Sequence, residues 1–303
     1  MTDIAVEVRG LRKSYGKLEA VKGIDLTVER GEVFALLGPN GAGKTTTVEI
    51  LEGFRRRTAG EVKVLGHDPE RADRSLRERV GIVLQSTGVD RFLTVRETVR
   101  LYASYYPRPR NVDEVIEVVG LTEKRDTKVL RLSGGQQRRL DVAIALPGDP
   151  ELLFLDEPTT GFDPGARRNA WEVVRNLTGL GKTVFLTTHY MDEAENLARR
   201  VAVISRGEIV AEGPPASLGE RQSSETVISF RLPAGAGDLP SGIGLTVQGN
   251  GSVEVRTQKP TRTLHELTAW ALAREVELVD LRVNKPTLEE VFLELTGGEA
   301  GTE

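Results

Sequence analysis

The apolar run Val33-Phe34-Ala35-Leu36-Leu37 ends directly in Gly38-Pro39-Asn40-Gly41-Ala42-Gly43-Lys44-Thr45, and this junction leaves few folds open. Five consecutive apolar residues suit a strand buried on both faces. The next segment matches G-x-x-x-x-G-K-[ST] in full. Helical sequence from about Lys44 to Glu52 follows, so the motif stands between a strand and a helix, as its chemistry requires. Glycines let successive backbone N–H groups turn inward around a phosphate, and the helix N-terminus adds partial positive charge. In that arrangement Lys44 bridges the β- and γ-phosphates of a nucleotide, and the Thr45 hydroxyl ligates Mg²⁺. The rival reading is a glycine-rich turn with an incidental lysine, which a full motif in this context disfavours.

Two further strands deliver chemistry to the same place. Leu152-Leu153-Phe154-Leu155 ends in Asp156-Glu157, and Thr183–Thr188 ends in His189. In open parallel sheets, ligands sit beyond the carboxyl ends of the strands. Successive strand residues face opposite ways, so the two carboxylates can take different tasks. Asp156 is suited to the Mg²⁺ water shell. Glu157 can orient and deprotonate a water, and His189 can contact the γ-phosphate. His67 and His265 have no such position and read as structural.

Alternating strands and helices predict a mostly parallel sheet in an α/β fold. Residues 4–9 and 24–28 read as short strands separated by Ser14-Tyr15-Gly16 and a turn at Gly23. Val62–Leu65 and Val80–Leu84 read as further strands, and about 86–146 as a helical subdomain. Within it, Thr94-Val95-Arg96-Glu97 is a capping box. Pro, Ser, Gly and charge accumulate from Gly213 to Ser224, which predicts a domain boundary near 220. Beyond it, strands at Thr226–Leu232, 245–248, 253–257 and 276–283, with helices at about 261–274 and 287–295, form a small α+β domain of residues 221–303. Asn250-Gly251 is its hairpin-turn signal.

Leu132-Ser133-Gly134-Gly135-Gln136 is also a capping box, Ser-x-x-Gln. Two glycines in a first helical turn each cost about 1 kcal/mol against alanine, so a cap alone does not favour them. Close approach of a ligand to the backbone explains both, and the exposed helix N-terminus suits a phosphate. The phosphate loop claims one side of a triphosphate, so this element is expected to grip the other side from a second copy of the chain.

Gly38–Thr46, Leu132–Gln136 and Leu152–Glu157 together resemble the nucleotide-binding domain of an ABC transporter, a P-loop NTPase with an added antiparallel β part and helical subdomain. The resemblance covers about residues 4–220 and implies ATP and Mg²⁺ as ligands. It implies that Tyr15 stacks on adenine. It implies that Gln85 links Mg²⁺ to the membrane-contacting subdomain. It also implies that Asp163, in Gly161-Phe162-Asp163-Pro164, lies in a loop exchanged between two domains of a sandwich. Asp163 as N-cap with Pro164 at N1 fits the same residues. The backbone and side chains of Gly38, Pro39, Asn40, Gly41, Ala42, Gly43, Lys44, Thr45 and Thr46 would hold nucleotide on one face, and those of Ser133, Gly134, Gly135 and Gln136 on the other. Phe162, Arg57 and Pro147 depart from the family pattern without touching a phosphate-contacting position. Arg55-Arg56-Arg57 reads as a solvated run.

Thr287-Leu288-Glu289-Glu290-Val291-Phe292-Leu293-Glu294-Leu295 resembles the tail of daunorubicin-resistance-type multidrug exporter ATP-binding subunits. That resemblance implies ATP-driven efflux through a separate polytopic permease, and a location in the cytoplasm on the inner face of the membrane. The alternative is a soluble ABC ATPase acting on ribosomes or DNA. Residues 53–131 carry no sustained heptads, however, and there is one cassette, not two. A P-loop kinase or GTPase would leave Ser133–Gln136 unexplained. A net charge of -4 gives no basic face for nucleic acid, and the absence of cysteine excludes thiolate metal sites. No apolar stretch approaches the ~20 residues of a membrane-spanning helix.

Overall fold

A computed structural model describes residues 3–71, 73–83, 88–222, 226–233, 245–247, 252–284 and 292. The chain divides near Pro214 into two compact units.

In the first unit the elements run β1 (Ile4–Tyr15), β2 (Leu18–Glu29), β3 (Val33–Leu37), α1 (Lys44–Leu51), β4 (Ala59–Val64), α2 (Arg74–Arg77) and β5 (Val80–Val83). There follow α3 (Val95–Ala103), α4 (Val112–Val118), α5 (Gly134–Ala145), β6 (Leu152–Asp156), α6 (Pro164–Gly179), β7 (Thr183–Thr188), α7 (Met191–Leu197), β8 (Arg200–Ser205) and β9 (Glu208–Gly213). The main sheet has the order β5-β6-β7-β3-β8-β9. Its strands pair in parallel except for β9, which is antiparallel to β8. A second, antiparallel sheet has the order β2-β1-β4. Both reproduce the fold class expected from the sequence.

Every residue of β3 is buried, which is why its sequence can be apolar throughout. Phe34, Phe154 and Phe185 stack across the three central strands, with centroids 5.4 and 5.6 Å apart. Each such side chain is worth about 1.5–3 kcal/mol of burial. Leu37 pairs with Thr188 and Asp156 with Thr187, so β3, β6 and β7 end level with one another on one edge. Thr94 caps α3 in the reciprocal box expected, accepting from the Glu97 N–H.

The structure differs from the sequence reading at three places in this unit. First, β1 and β2 are single long strands, and Gly23 is no turn. The backbone at Gly10 and Gly23 has φ of +56° and +83°, and the register shifts beside each, so both are bulges inside a continuous ladder. Second, β8 and β9 escape the sequence reading, because Ala198-Arg199-Arg200 runs on from a helix with no Gly or Pro to mark the change. Third, Arg55-Arg56-Arg57 is not a solvated run. Arg57 forks onto Asp68 at 2.9 and 2.8 Å and donates to the Gly60 carbonyl, while Arg55 pairs with Glu49. Only Arg56 is exposed.

The second unit contains α8 (Pro215–Gln222), β10 (Thr226–Arg231), β11 (Leu245–Val247), β12 (Ser252–Thr257), α9 (Pro260–Ala273) and β13 (Val279–Asn284). Its antiparallel sheet, ordered β11-β12-β10-β13, packs Ile228, Phe230, Val253 and Val255 against Leu267 of α9. The Asn250-Gly251 turn and the helix expected at 287–295 lie outside the described residues, apart from Phe292, which is buried. Among the described residues no helix is long and apolar enough to cross a membrane.

Glu151, just before β6, accepts from Arg79 Nε at 2.5 Å and from Arg30, and these hydrogen bonds hold its pKa down to about 2. A folded pKa below the ordinary 4.5 stabilises the protein above that value, and the contribution is lost as pH falls from there towards 2. Glu151→Gln is therefore expected to melt below the parent at pH 7. Thermal melts taken down to pH 2.5 should show that gap closing.

Candidate functional site

The phosphate loop is shaped by contacts that tolerate no side chain. A Cβ on Gly38 would stand 2.4 Å from the Ile204 carbonyl oxygen, and one on Gly43 2.7 Å from that of Ala20. Gly43 also has φ of +111° and forms the N-cap of α1. The loop therefore closes onto β2 and β8, with Gly41 and Asn40 exposed and Thr45 exposed on the first turn of α1. Tyr15 (end of β1), Leu18, Asn40, Thr45, Thr46 and Glu157 line a cleft of about 500 Å³ over this loop. Tyr15 is 38% exposed, and its ring is flanked by Lys13 Nζ at 5.0 Å and Arg55 Cζ at 5.3 Å.

Lys44 is 4% exposed. Its Nζ donates to the carbonyl oxygens of Gly38 at 2.7 Å and Pro39 at 3.2 Å, and lies 3.5 Å from Glu157 Oε1. Burial pulls its pKa down, and the Glu157 and Asp156 carboxylates act against that shift.

Glu157 Oε1 lies near two nitrogens, Lys44 Nζ at 3.5 Å and His189 Nδ1 at 3.4 Å. That His189 nitrogen is buried and makes no hydrogen bond at this distance. Glu157 Oε2 accepts from Thr160 Oγ1 at 3.1 Å. The backbone of Glu157 has φ of +45°, a conformation that costs a non-glycine residue of order 1–3 kcal/mol. It is held there by its N–H, which donates to Thr187 Oγ1 at 3.0 Å. Thr187 Oγ1 in turn donates to Asp156 Oδ1 at 2.5 Å. Arg138 of α5, also buried, donates to the Asp156 carbonyl at 2.9 Å and the Pro158 carbonyl at 3.3 Å. The three strand ends named from the sequence thus bring Lys44, Asp156, Glu157 and His189 together.

Sequence reasoning missed Thr187, Thr160 and Arg138. Their signals were present but ambiguous: a β-branched Thr suits any strand, and an Arg in a helix reads as surface. Gln85 lies outside the described residues.

The Ser133 element forms the capping box in both directions: Ser133 Oγ accepts from the Gln136 N–H at 3.3 Å, and Gln136 Oε1 accepts from the Ser133 N–H at 3.0 Å. A Cβ on Gly134 would meet nothing, which leaves the helix terminus open to approach, whereas one on Gly135 would lie 3.2 Å from Ala166 Cβ of α6. Gly135 therefore has a packing reason within the chain, and ligand approach is needed to account only for Gly134. Among the described residues lining the phosphate-loop cleft there is none from 133–136. Asp163 is the N-cap of α6, with Oδ1 accepting from the Gly165 and Ala166 N–H groups at 2.8 and 3.0 Å. These bonds lower its pKa.

A buried lysine, two carboxylates of unlike environment and an imidazole around one phosphate loop form a site for hydrolysing a phosphoanhydride. Residues 21–160 match the ABC transporter family model. The daunorubicin resistance ATP-binding protein DrrA3 of Streptomyces coeruleorubidus is 39% identical over 312 residues, covering 99% of this chain and 98% of its own.

The chain belongs to the ABC transporter family.

It is an ATP-binding cassette and an ATPase. The Nod factor export ATP-binding protein I of Rhizobium johnstonii is also 39% identical, covering 99% of this chain. Among solved structures, a dimeric ATP-binding cassette in a post-hydrolysis state with ADP and Pi superposes with a TM-score of 0.61 and 27% identity. It spans 69% of this chain and 98% of its own. Residues 226–287 match the C-terminal domain of ABC transporter domain-containing proteins.

The donor set fits Mg²⁺. Thr45 and Asp156 offer hard oxygens, and among the described residues no group of three or more His, Cys, Asp or Glu forms a closed metal cage. Mg²⁺ keeps several waters and takes one or two protein oxygens beside substrate phosphates, so a sparse site of this kind suits it.

Proposed function

We propose that this cassette drives export: two copies close head to tail on two ATP molecules, and separate polytopic permease subunits convert closure into alternating access. The observation that carries its hydrolytic step is Glu157 Oε1 within 3.5 Å of Lys44 Nζ and 3.4 Å of His189 Nδ1. A terminal phosphate entering the loop draws Lys44 away from the Gly38 and Pro39 carbonyls. Glu157 is then left to take the proton of the attacking water, while His189 reaches the γ-phosphate. Thr45 and Asp156 would hold Mg²⁺, which would supply positive charge beside the phosphates. Tyr15, which lines the cleft, is the side chain proposed to stack on the base.

Ser133, Gly134, Gly135 and Gln136 act on the other subunit's ATP. Asp163 caps α6 at the same interface, and Gln85 is the proposed link between Mg²⁺ and the helical subdomain. Closure requires differential affinity for ATP in the closed state, and loss of the γ-phosphate releases it.

For the permease, a cleft of about 610 Å³ is lined by Leu51, Phe54, Leu76, Ile82, Tyr102 and Tyr106. Glu52 also lines it, with a pKa pushed up to about 8 by burial and by the Asp156 charge. An apolar groove of this size suits a short amphipathic helix of a membrane partner. The relatives' names, daunorubicin resistance and Nod factor export, support a drug-like or other small-molecule cargo, and the location that goes with it is the inner face of the cell membrane. Affinity purification of the cassette from detergent-solubilised membranes of its own cells tests the reading. A stoichiometric polytopic protein is expected, and Tyr102→Asp is expected to release it. Recovery with no membrane protein would remove the exporter.

A further inference from the structure

One buried carboxyl group near the site has no part in the hydrolysis described above. Glu193 of α7 is 0% exposed, and neither of its oxygens makes a hydrogen bond. It faces the hydroxyls of Thr188 and Thr159 and the indole of Trp171. Thr159 Oγ1 and Trp171 Nε1 are likewise buried without a hydrogen-bond partner. Burial pushes the Glu193 pKa up, and the cations acting on it are Arg167 of α6 and Arg138 of α5.

The three groups that meet Glu193 come from three segments that carry proposed site residues. Thr159 follows Glu157 by two positions, Thr188 immediately precedes His189, and Trp171 lies on α6, whose N-cap is Asp163. A core with no further task gains nothing from polar atoms here. Replacing a buried ion pair or triad as a whole by apolar residues of like volume is often neutral or stabilising, so stability alone gives little reason for such groups. Orphaned buried polar atoms call for an explanation, and one common explanation is a catalytic or conformational role.

We infer that Glu193 is a positioning residue for ATP hydrolysis, holding the Glu157 loop, the His189 strand end and α6 in one register. Its carboxyl group lies against the Thr188 and Thr159 hydroxyls and the Trp171 indole, the groups through which it would hold the three segments. This inference rests on the reading that Glu157 and His189 act on the γ-phosphate. If the pin is lost, those groups are left slightly misplaced, and misplacement of reacting groups by about 1 Å can cost about 100-fold in rate.

The test compares Glu193→Leu with Glu193→Gln in the full chain. Glu193→Leu keeps the volume and removes the polar atoms. It is expected to melt close to the parent temperature, to bind ATP with unchanged Kd, and to lose about tenfold or more in kcat. Glu193→Gln keeps a donor and an acceptor and is expected to hold kcat within about twofold of the parent. A merely structural role would make activity follow stability, so a fall in kcat without a fall in melting temperature is the signature. Parental kcat in Glu193→Leu would overturn the inference, as would a Gln variant as slow as the Leu variant. If Glu193→Leu does not fold, Thr159→Val removes the partner hydroxyl without changing shape. Lower kcat at unchanged KM supports the inference, and parental kcat sinks it. Glu157→Gln measured alongside separates the two claims. An active Glu157→Gln removes the site reading itself, whereas an inert Glu157→Gln beside a parental Glu193→Leu removes only the role of Glu193.

Discussion

Glu157→Gln is expected to slow ATP turnover by about 100-fold or more while leaving ATP bound and the dimer closed. The size follows from the loss of a general base, which typically contributes 10² to 10⁴ in rate. The amide is isosteric with the carboxylate. It can keep the 3.1 Å contact with Thr160 Oγ1, and the backbone N–H bond to Thr187 is untouched. The catalytic function lost is proton acceptance. Binding should tighten, because in the parent Glu157 competes with the γ-phosphate for Lys44, from which it lies 3.5 Å away. Removing that negative charge leaves Lys44 to the nucleotide. Two measurements check this: phosphate release at saturating ATP, and size-exclusion chromatography with ATP, where Glu157→Gln should elute as a dimer and Glu157→Gln without nucleotide as a monomer. Parental turnover would take Glu157 out of the role of base.

What the sequence disclosed of this site, and what it withheld, follows from how strictly each position is constrained. The phosphate loop was legible because its glycines answer to contacts that admit no side chain, as at Gly38 against the Ile204 carbonyl. The convergence of Lys44, Asp156, Glu157 and His189 was legible because continuous apolar runs mark strands buried on both faces, and such strands in parallel end on one edge. Bulges were not legible: Gly10 and Gly23 carry the same residue type as a turn glycine, and only the ladder on both sides shows that the strand continues. The two glycines of the Ser133 element illustrate the same ambiguity. Close approach of a ligand accounted for both in the sequence, yet Gly135 answers to Ala166 of a neighbouring helix, which no local pattern predicts. Thr187 and Glu193 were hidden for a different reason. Each is ordinary for its element, and its role depends on partners from other elements, Asp156 for Thr187 and Thr159 and Trp171 for Glu193.

Lys44→Met is expected to weaken ATP binding by about 100-fold or more and leave the fold standing. The ammonium is 4% exposed, so its interaction with a triphosphate runs through a medium far less polarisable than water, and each such contact counts for more. Methionine spans nearly the same length without charge, so no cavity opens beside α1. Stability should move by only about 1 kcal/mol, because the Gly38 and Pro39 carbonyls lose a donor while the cost of burying an ammonium disappears. Binding of N and not of the unfolded chain raises stability by about 2.7 kcal/mol at a ligand concentration 100 times Kd. The parent should therefore melt higher when ATP is added, and Lys44→Met should show no such rise at the same concentration while matching the parent without ATP. Gly38→Ala provides the contrast. Its Cβ would sit 2.4 Å from the Ile204 carbonyl oxygen, so the loop must shift, and both the ATP-induced rise and the resting melting temperature should fall. If Lys44→Met instead lost resting stability as Gly38→Ala does, Lys44 would be a structural residue of the loop, and the phosphate contact assigned to it would have to be withdrawn.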